Sequence, residues 1–394
     1  MKRSLAFLAG LAAMATAVTA NAVDDLLPLA DDFGNAASIA AWQRVYQQEM
    51  TGADQLEIFD INTTQAGKLV MEPHTSTWYN EYRGELTFKN VTGDFVITTD
   101  VVSTNRAGTA APSSNYSLGG LMIRTPRTPP VGCSSMDENY VFLSIGAGNT
   151  PGTYQFEVKT TVNSMSTLII VATGGINHAT IQIARIGNYV ITLRQFPGGP
   201  WTVHHRYVRM DFPATLQAGM TTYTDFANTS TYTPCYQNSH VLLTGNPDLV
   251  SAFDYVCFRR PQVPPAFQGL DLSNPAVVSD AQLLTFLGAN AMGTPAPTAG
   301  NSGPVCVGQD VTLTASTVDG ATYSWTGPNG YTSTQQNPVL TGVTAAQTGD
   351  YSVVAMTGCG ASSPSMTTVT VNADASTPAV TPPGDATSTQ TACD

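Results

Sequence analysis

The stretch GELTFKNVTGDFVITTDVV (residues 84–102) alternates apolar and polar residues on both sides of a turn signal. The turn signal is Thr92-Gly93-Asp94, where the alternation breaks. Alternation with a period of two is typical of β-strands that bury one face, whereas an amphipathic helix repeats every three to four residues. The stretch therefore predicts two β-strands with a turn between them.

Similar segments extend from this stretch in both directions, from Leu56 to Phe258. No helical pattern separates them, so about a dozen strands follow one another and are expected to pair antiparallel. The other clear segments are QLEIFDI, KLVMEP, LGGLMIRTP, NYVFLSIGA, YQFEVKTTV, STLIIVAT, ATIQIARI, NYVITLRQF, YVRMDFP and AFDYVCFRR. We predict an all-β protein with these strands in a sandwich.

Proline-rich and polar stretches divide the chain of 394 residues. After Arg260 a proline-rich stretch leads to one short predicted helix, with Ser279 as its N-cap and Gly288 as the residue that ends it. A second set of strands follows, and the Thr/Pro-rich tail is predicted to be disordered. The predicted divisions are a signal peptide (1–22), a first domain (23–262), a linker with the helix (263–303), a second domain (304–372) and the tail (373–394).

The first residues are typical of a secretory signal peptide. Met1-Lys2-Arg3 precedes a short apolar run, and Ala20-Asn21-Ala22 forms an A-x-A cleavage site. No later stretch approaches the ~18 apolar residues that a membrane helix needs. The sequence predicts a protein that is secreted or held at the cell surface, without a transmembrane segment.

The charge balance argues against nucleic acid as a partner. Only 11% of the residues are charged, and removal of Lys2 and Arg3 takes the net charge from −12 to −14. A nucleic-acid-binding protein needs a basic stripe to displace counterions, and none is visible. An extracellular glycan or surface polymer is the expected partner.

The first domain resembles the concanavalin A-like lectin/glucanase jelly roll, roughly over residues 29–262. The resemblance rests on DDFGNAASIAAWQRV, KNVTGDFVITTDV, GGLMIRTP, PWTVHHRYVRMDFPATLQAGMTTYTDF and AFDYVCFRRP, in that order. It is nearest to noncatalytic modules of secreted bacterial proteins and to those appended to some xylosidases. Members of this fold bind glycans, hydrolyse them or do neither, so the resemblance leaves function to the site.

The second domain resembles bacterial immunoglobulin-like repeats of surface proteins. The resemblance rests on VCVGQDVTLTAS, TYSWTGPNG with Trp325, AAQTGDYSVVA and GCG. It implies a core tryptophan and a tyrosine corner, in which the Tyr351 hydroxyl binds backbone just upstream. Cys306 and Cys359 do not match the inter-sheet pair of antibody domains, but they are expected to be bonded to each other. The implied role is spacing or adhesion.

Glu81 and Glu85 are the first candidates for acid–base catalysis. On one strand, residues four apart are separated by about 13 Å. Retaining glycosidases need carboxyls ~5–5.5 Å apart and inverting ones ~6.5–9.5 Å. Unless Gly84 breaks the strand, the pair misses both ranges, so it is interpreted as solvent-facing or hydrogen-bonding, with catalysis as the alternative. Asp94 with Asp100 is further apart still, and Asp137-Glu138 is interpreted as a solvated turn.

Other catalytic patterns are missing from the sequence. It contains no G-x-S-x-G nucleophile elbow and no H-E-x-x-H zinc motif. His204 and His205 are adjacent on a predicted strand, so their rings should point to opposite faces and cannot share one metal ion unless the strand has a bulge there. A hydrolase triad and a catalytic zinc site are both disfavoured.

A glycan site needs aromatic faces beside planar hydrogen-bonding groups, and two parts of the sequence offer both. The alternative for each tryptophan is an ordinary place in the core. The predicted ligand-binding residues are Trp78, Tyr79, Tyr82, Arg83 and Glu85 on one segment, Arg124 at the end of GGLMIR, and Trp201 with His204 after the turn FPGGP.

The jelly-roll resemblance also implies one structural calcium ion where the first and last strands meet. Asp32 and Asp254 occupy the corresponding positions here, and carboxylate oxygens suit calcium. The alternative is that both aspartates cap strand ends.

The even number of cysteines predicts disulfides in an exported protein. Sequence does not give connectivity, but Cys133–Cys235 is the preferred pair because both residues lie in loops. Cys257 would then be a buried thiol, and Cys393 would be free or intermolecular.

These observations favour a secreted, noncatalytic carbohydrate-binding or surface-adhesion protein. The alternative is a secreted glycoside hydrolase on the same jelly-roll fold. A third interpretation is a structural surface protein that binds no small ligand.

Overall fold

A computed structural model describes residues 24–129, 131, 136–291, 294, 296–318, 321–357 and 359–372. The predicted signal peptide and the predicted tail lie outside the described residues. Within the described part, 24 strands account for most of the regular structure, and the four α-helices have four to six residues each. The prediction of an all-β protein is confirmed.

The first fourteen strands form two stacked seven-stranded sheets. In chain order they are β1 (Gln43–Arg44), β2 (Leu56–Ile61), β3 (Leu69–Pro73), β4 (Glu85–Thr92), β5 (Phe95–Thr104), β6 (Ser117–Arg124), β7 (Tyr140–Ala147), β8 (Gln155–Val162), β9 (Met165–Ala172), β10 (His178–Ile186), β11 (Tyr189–Gln195), β12 (Thr202–Val208), β13 (Thr215–Tyr223) and β14 (Val250–Arg259). The front sheet has the order β1-β4-β13-β6-β7-β8-β9, and the back sheet has the order β12-β11-β10-β5-β14-β3-β2. All pairs within both sheets are antiparallel.

The two strands of the stretch 84–102 lie in different sheets. β4 pairs with β1 and β13 in the front sheet, whereas β5 pairs with β10 and β14 in the back sheet. The turn between them includes Gly93, whose φ of 80° is in the region that glycine adopts without strain. This turn therefore carries the chain from one layer of the sandwich to the other.

Alternate residues of the strands form the main core between the sheets. In β6, Leu121 and Ile123 face this core, and Leu118 and Met122 face the opposite side. The same alternation places Val141 and Leu143 of β7 inside. Because side chains alternate along a strand, the register of strand pairing determines which residues lie on each face of the sheet.

The outer face of the back sheet is covered by the first part of the predicted linker. Val278, Leu283 and Leu287 pack on the apolar outer residues of β10 and β11, and Gly288 exchanges two hydrogen bonds with Gln182. The α-helices within the described residues are α1 (Val45–Gln48), α2 (Phe226–Thr229), α3 (Pro234–Ser239) and α4 (Asp280–Leu283). Ser279 is the N-cap of α4, as predicted, and forms a capping box with Gln282. The 3₁₀ turns are Leu27–Leu29, Ala36–Ala41, Pro265–Phe267, Gly288–Ala291, Pro328–Gly330 and Ala345–Gln347.

A smaller β-unit with its own core follows. Its strands are β15 (Ala299–Asn301), β16 (Val305–Cys306), β17 (Val311–Ala315), β18 (Thr322–Gly327), β19 (Tyr331–Ser333), β20 (Val339–Leu340), β21 (Gly349–Thr357), β22 (Gly360–Ala361), β23 (Ser365–Val369) and β24 (Val371–Asn372). Trp325 is fully buried in its core, and the Tyr351 hydroxyl donates to the Gln347 carbonyl at 3.1 Å.

A disulfide joins the two β-units, because Cys257 of β14 is bonded to Cys359. The predicted Cys306–Cys359 bond is therefore wrong, and so is the prediction that Cys257 is a free thiol. Val256 and Phe258 face the main core, so Cys257 faces outward and reaches the second unit. Cys235 and Cys306 each take part in a further disulfide. Cys133 and Cys393 lie outside the described residues, so the Cys133–Cys235 pair stays a prediction.

Candidate functional site

Trp78 is fully buried and cannot act as a sugar-stacking platform, contrary to the prediction. It lies in the segment 74–84, which covers the outer face of the front sheet, and its ring packs edge-on against Tyr140 at 5.4 Å. The absence of a side chain at Gly84 makes room for the indole, since a Cβ there would lie 2.9 Å from Trp78. Its Nε1 donates to the Glu85 carbonyl.

A buried lysine lies under the same covering segment. The Lys159 ammonium donates to the Trp78 carbonyl at 2.5 Å and pairs with Glu157 at 2.8 Å. The rings of Tyr79, Tyr116, Phe142 and Tyr223 lie around it at 5.0–6.0 Å. Burial lowers the pKa of Lys159, against the effect of Glu157. The middle of this face is thus filled by the protein's own groups, and Tyr79 is half-buried there.

The predicted ligand-binding residues Arg83 and Arg124 belong to a buried charge cluster, which consists of Glu49, Arg83, Arg124, Arg127 and Glu138. Arg124 Nη2 lies 2.6 Å from Glu49 and 2.8 Å from Glu138. Arg83 and Arg127 also contact Glu138, at 2.7 and 2.6 Å. Burial alone would raise the pKa of Glu138, but the three arginines lower it to about 2. Arg124 is 0% exposed, so its prediction as a ligand contact is wrong, and Arg83 at 4% is equally unavailable.

The two buried carboxylates of this cluster do not form a catalytic couple around a cleft. Glu49 and Glu138 approach each other, but both are bound to Arg124. The neighbouring cavity, lined by Glu49 and Arg83 among others, has a volume of about 10 Å³. A space of that size holds at most one water molecule.

Glu85 is fully buried and is bound by Arg44, whose Nε donates to it at 3.0 Å. Arg44 also pairs with Asp54. Glu85 is therefore not a ligand contact, and the interpretation of Glu81 and Glu85 as solvent-facing is wrong, since Glu81 is only 5% exposed. The hydrogen-bonding interpretation is confirmed for both, because Ser164 donates to Glu81.

Beside Glu81 the structure has an open groove with a volume of about 390 Å³. We call it the Glu81 groove. It combines one aromatic ring and other apolar groups with hydroxyl, amide and carboxylate groups. Its lining residues are Asn80, Glu81, Tyr82, Met136, Ser164, Met165, Ser166 and Pro234. Of the eight predicted ligand-binding residues, Tyr82 is the one that lines it.

The floor of the groove is set by the turn between β8 and β9. Asn163 and Ser164 both have positive φ, at 46° and 61°, as a two-residue hairpin turn of type I′ requires. This turn brings Ser164 to Glu81 and Ser166 to Asn80. The Asn80 backbone N–H donates to Ser166 Oγ at 2.8 Å, and the Ser166 N–H donates back to Asn80 Oδ1 at 3.1 Å.

The wall of the groove is held by the loop that contains α3. The Tyr82 hydroxyl donates to the Tyr232 carbonyl at 2.7 Å, which fixes the ring, and the Asn238 side chain donates to the Glu81 carbonyl. Burial raises the pKa of the Glu81 carboxyl, and the negative charge of Glu138 raises it further, whereas Arg127 and Arg83 lower it. Glu81 is thus a partly desolvated carboxyl at the side of an open groove.

Trp201 and His204 lie far from this groove in the fold and pack against the protein. Trp201 is half-buried against Gly288, where a Cβ would lie 2.9 Å from the indole. His204 packs on Phe156 at 5.6 Å, and burial lowers its pKa to about 3. His205 packs against Tyr207, which borders the same core as Phe156. The strand has a bulge here, because Thr192 pairs with His205 and Leu193 with Val203, so the prediction that the two rings point to opposite faces is wrong.

Asp32 and Asp254 each have a partner other than a cation. Asp32 accepts a hydrogen bond from the Gly34 N–H, and Asp254 pairs with Lys68 at 2.7 Å. Within the described residues, no three His, Cys, Asp or Glu side chains come close enough to hold a metal ion. The two aspartates therefore fit a calcium ion poorly, and calcium binding stays a prediction.

No helix in the described part of the chain has the length and apolar character needed to cross a membrane.

The groove residues that sequence reasoning missed are mostly small or flexible side chains. Ser164, Ser166, Met136, Met165 and Pro234 carry no motif, and Asn80 was not singled out in its segment. One signal was available, because Asn163-Ser164 between two strand patterns is a hairpin turn that brings its flanking residues to a sheet edge. Nothing in the sequence places that edge beside Glu81.

The sequence matches no protein-family model and no curated protein. The structure is similar to a functionally unknown protein from Saccharomyces cerevisiae, at 11% identity over 57% of this chain and 99% of that chain, with a TM-score of 0.38. It is similar to xylan β-1,4-xylosidase from Bacillus halodurans, at 12% identity over 59% of this chain and 39% of that chain, with a TM-score of 0.37. Basic winged bean lectin in complex with Tn-antigen matches at 9% identity over 58% of this chain and 95% of that chain, with a TM-score of 0.36. At these identities and TM-scores the likeness concerns the fold, and no functional argument rests on it.

Proposed function

We propose that the protein is exported and binds carbohydrate without catalysis, through the Glu81 groove. The observation that carries this proposal is the composition of the groove, in which the Tyr82 ring and the apolar Met136, Met165 and Pro234 lie beside polar side chains. Ligand sites are typically concave and mainly apolar, with a few polar groups that fix orientation. The Cys257–Cys359 disulfide supports an oxidising compartment.

In this proposal the second unit serves as an immunoglobulin-like spacer. Its buried Trp325 and the bond from the Tyr351 hydroxyl to the Gln347 carbonyl agree with that fold. A spacer positions the binding groove without contributing to ligand chemistry, so removal of the second unit should leave the affinity for glycan unchanged.

The rival function, glycoside hydrolysis, has one supporting observation. Glu81 is a carboxyl with a raised pKa beside a groove, as a general acid requires. Both hydrolytic geometries need a second carboxyl across the scissile bond. Among the described residues that line the groove, Glu81 is the sole carboxylate, which favours binding over hydrolysis.

A glycan array with the wild type and two variants tests the proposal. Tyr82→Ala removes the ring and should lose the glycan signal. Tyr82→Phe keeps the ring and loses only the hydroxyl bond to the Tyr232 carbonyl, so it should retain most of the signal. Thermal unfolding of each variant separates lost binding from lost folding.

Three results would count against the proposal. If the wild type binds no glycan, the third interpretation, a structural surface protein without a small ligand, takes its place. If Tyr82→Ala binds as well as the wild type, the site lies elsewhere. Release of reducing sugar from a bound polysaccharide would show the hydrolase.

A further inference from the structure

The two sheets are open along one side, where β9 ends the front sheet and β12 ends the back sheet. Every residue of these two strands is half-buried or exposed. The layers meet just behind them, because Phe156 of β8 packs on His204 of β12 at 5.6 Å. Phe196 and Tyr207 border the main core here and are themselves half-buried. We call the face formed by β9, β12 and the adjoining ends of β8 and β11 the open side.

The sequence that builds the open side has an unusual charge pattern. The 53 residues from 158 to 210, which include β9, β10, β11 and β12, contain no Asp or Glu, although the chain has 28. Lys159, Arg206 and Arg209 pair with carboxylates outside this stretch, and Arg185 donates to the carbonyl of Ala214. The stretch is therefore basic in an otherwise acidic chain.

Arg194, near the end of β11, is the remaining positive group of this stretch. Its guanidinium lies over the rings of Phe156 at 4.8 Å and Phe196 at 5.6 Å. Among the described residues it has neither an ion-pair nor a hydrogen-bond partner: Nε is buried, whereas Nη1 and Nη2 reach solvent. Burial lowers the pKa of Arg194, and no carboxylate opposes that effect. Two aromatic rings thus hold a guanidinium whose terminal donors are accessible.

The groups beside Arg194 bring no negative charge. His204 packs on the same Phe156 ring, and burial together with the charges of Arg194 and His205 lowers its pKa to about 3. Burial also lowers the pKa of His205. Both histidines are therefore neutral at pH 7, and a bound anion would meet the positive charge of Arg194 without a competing carboxylate.

A carboxylate suits this guanidinium better than other anions of one charge. Its two oxygens match the parallel N–H donors of Nη1 and Nη2, and such paired, charge-assisted hydrogen bonds are among the strong ones in proteins. The half-buried rings of Phe196 and Tyr207 add apolar area beside the charge, and a sugar ring packs well on aromatic side chains. The arrangement combines the two features that an acidic sugar requires.

We propose that Arg194 marks a second ligand site, on the open side, that binds the carboxylate of an acidic sugar such as a uronate. The Glu81 groove lies at the other end of the β8–β9 hairpin. Val162, beside the hairpin turn, is six residues from Phe156, or about 20 Å along the strand. The proposal therefore goes beyond the proposed function and does not depend on binding in the groove.

Calorimetric titration with trigalacturonate and its methyl ester tests the proposal. The ester keeps the sugar rings but removes the negative charges. The wild type should bind trigalacturonate on the order of tenfold more tightly than the ester, or better, and added salt should weaken the binding. Arg194→Gln should weaken trigalacturonate binding on the order of ten- to a hundredfold, the range of a charge-assisted hydrogen bond. Thermal unfolding checks that the variant folds.

Three further variants sharpen the test. Lys68→Gln removes a positive charge next to β3, towards the opposite edge of the back sheet, and should leave the affinity unchanged. Tyr82→Ala disables the Glu81 groove and should also leave it unchanged, so acidic glycans that this variant still binds on the array would report the open side. Arg194→Lys keeps the charge without the paired donors, so it should lose part of the affinity, and it serves if Arg194→Gln fails to fold.

The outcomes separate this site from the groove. If the wild type binds neither probe or both equally, or if Arg194→Gln binds trigalacturonate unchanged, the proposal is wrong. Loss of trigalacturonate binding in Tyr82→Ala would place the acidic sugar in the groove, and the proposed function would stand without a second site. A triglutamate peptide that binds as tightly as trigalacturonate would show that Arg194 does not select sugars, which also overturns the proposal.

Discussion

Arg124 is fully buried at the end of β6, and its guanidinium is bound by carboxylates from two other parts of the chain. Glu49 follows α1 and Glu138 precedes β7, so neither partner could be found from local spacing. The sequence indicated that Arg124 is a planar hydrogen-bond donor, and its guanidinium does donate hydrogen bonds in the structure. Its partners are the protein's own glutamates, because the covering segment and α1 close over this face of the sheet.

Replacement of Arg124 should destabilise the protein strongly. Arg124→Ala leaves Glu49 and Glu138 buried without one of their cations, and loss of one member of a buried ion pair typically costs about 3–5 kcal/mol. The free energy of unfolding from urea titrations measures this loss. Lys68→Ala is the control, because the Lys68–Asp254 pair is partly exposed and such pairs contribute roughly 1 kcal/mol or less. Equal losses in the two variants would contradict a structural role for the cluster.

His204 should make the protein less stable in acid. Its pKa in the folded state is lowered to about 3, so between that pH and its ordinary value near 6.5 the unfolded chain binds a proton that the folded chain does not. Stability is then lost as the pH falls below about 6.5, with a slope that approaches about 1.4 kcal/mol per pH unit from this group.

The measurement is the pH dependence of the free energy of unfolding for the wild type and His204→Gln. The difference between the two curves isolates this histidine from the buried carboxylates, which also lose stability in acid. The wild type should fall more steeply than the variant between pH 6.5 and 4. Parallel curves would mean that His204 takes up a proton in the folded state.

The residue types in the sequence indicated part of the candidate site, but the burial of each side chain determines which residues a ligand can reach. The segment from Trp78 to Glu85 was expected to carry the site, and Glu81 and Tyr82 do line the groove. The sequence could not tell that Trp78 faces the sheet, because an aromatic side chain suits a core and a platform equally well. Exposure depends on what covers the face, and the covering loop with α3 is distant in sequence.

At the scale of one element, β9 is an edge strand with unusual composition. It ends the front sheet, and no strand pairs with its outer side in the described structure. From Thr160 to His178 the sequence has no Asp, Glu, Lys, Arg or Pro. Met165 is 72% exposed and Ile169 is 43% exposed. Natural edge strands usually carry a charge or a proline that prevents pairing with another chain.

A charge placed on this edge should reduce self-association. Ile169→Lys puts a cation in the middle of β9 and should lower the aggregated fraction at high concentration, as light scattering measures. Because the side chain is partly exposed, the stability should change little. Met210→Lys is the control, since it adds the same charge at a residue that is 78% exposed and outside the strand. Equal improvement by both variants would show a general charge effect instead of an edge effect.

The strands themselves could be read from the sequence, but their pairing could not. All but one of the segments quoted from Leu56 to Phe258 correspond to strands of the two sheets, because period-two alternation is local. The exception is YVRMDFP (207–213), of which only Tyr207 and Val208 belong to a strand, and β13 was not among the predicted strands. The stretch 84–102 shows that local alternation does not predict which strands pair. In the sequence its two strands follow each other across a short turn, as the strands of a β-hairpin do, yet they belong to different sheets. Pairing depends on contacts with β13 and β14, which lie far along the chain.

At the scale of the whole molecule, the Cys257–Cys359 bond joins the two β-units in addition to the chain itself. The bond spans a sequence separation of 102 residues and was not predicted, because sequence alone does not give disulfide connectivity. Cys257 can pair with Cys359 because it lies on the side of β14 that faces away from the main core.

A cut in the chain between the units should therefore leave them attached. A specific protease site inserted between Gly269 and Leu270, which are both exposed, allows the test. After cleavage, the protein should run as one band on a denaturing gel without reductant and as two bands with it. The double variant Cys257→Ser, Cys359→Ser should give two bands under both conditions. Two bands from the cleaved wild type without reductant would contradict the bond.

The same bond also determines the path of mechanical load. Tension applied to the second unit beyond Cys359 passes through the sulfur atoms into β14, which hydrogen-bonds to β5 on one side and β3 on the other. The force is then borne by a central strand held along both edges and does not have to pass through the chain that connects the two units. A protein attached through its second unit could thus resist pulling without placing the load on the chain that connects its two units.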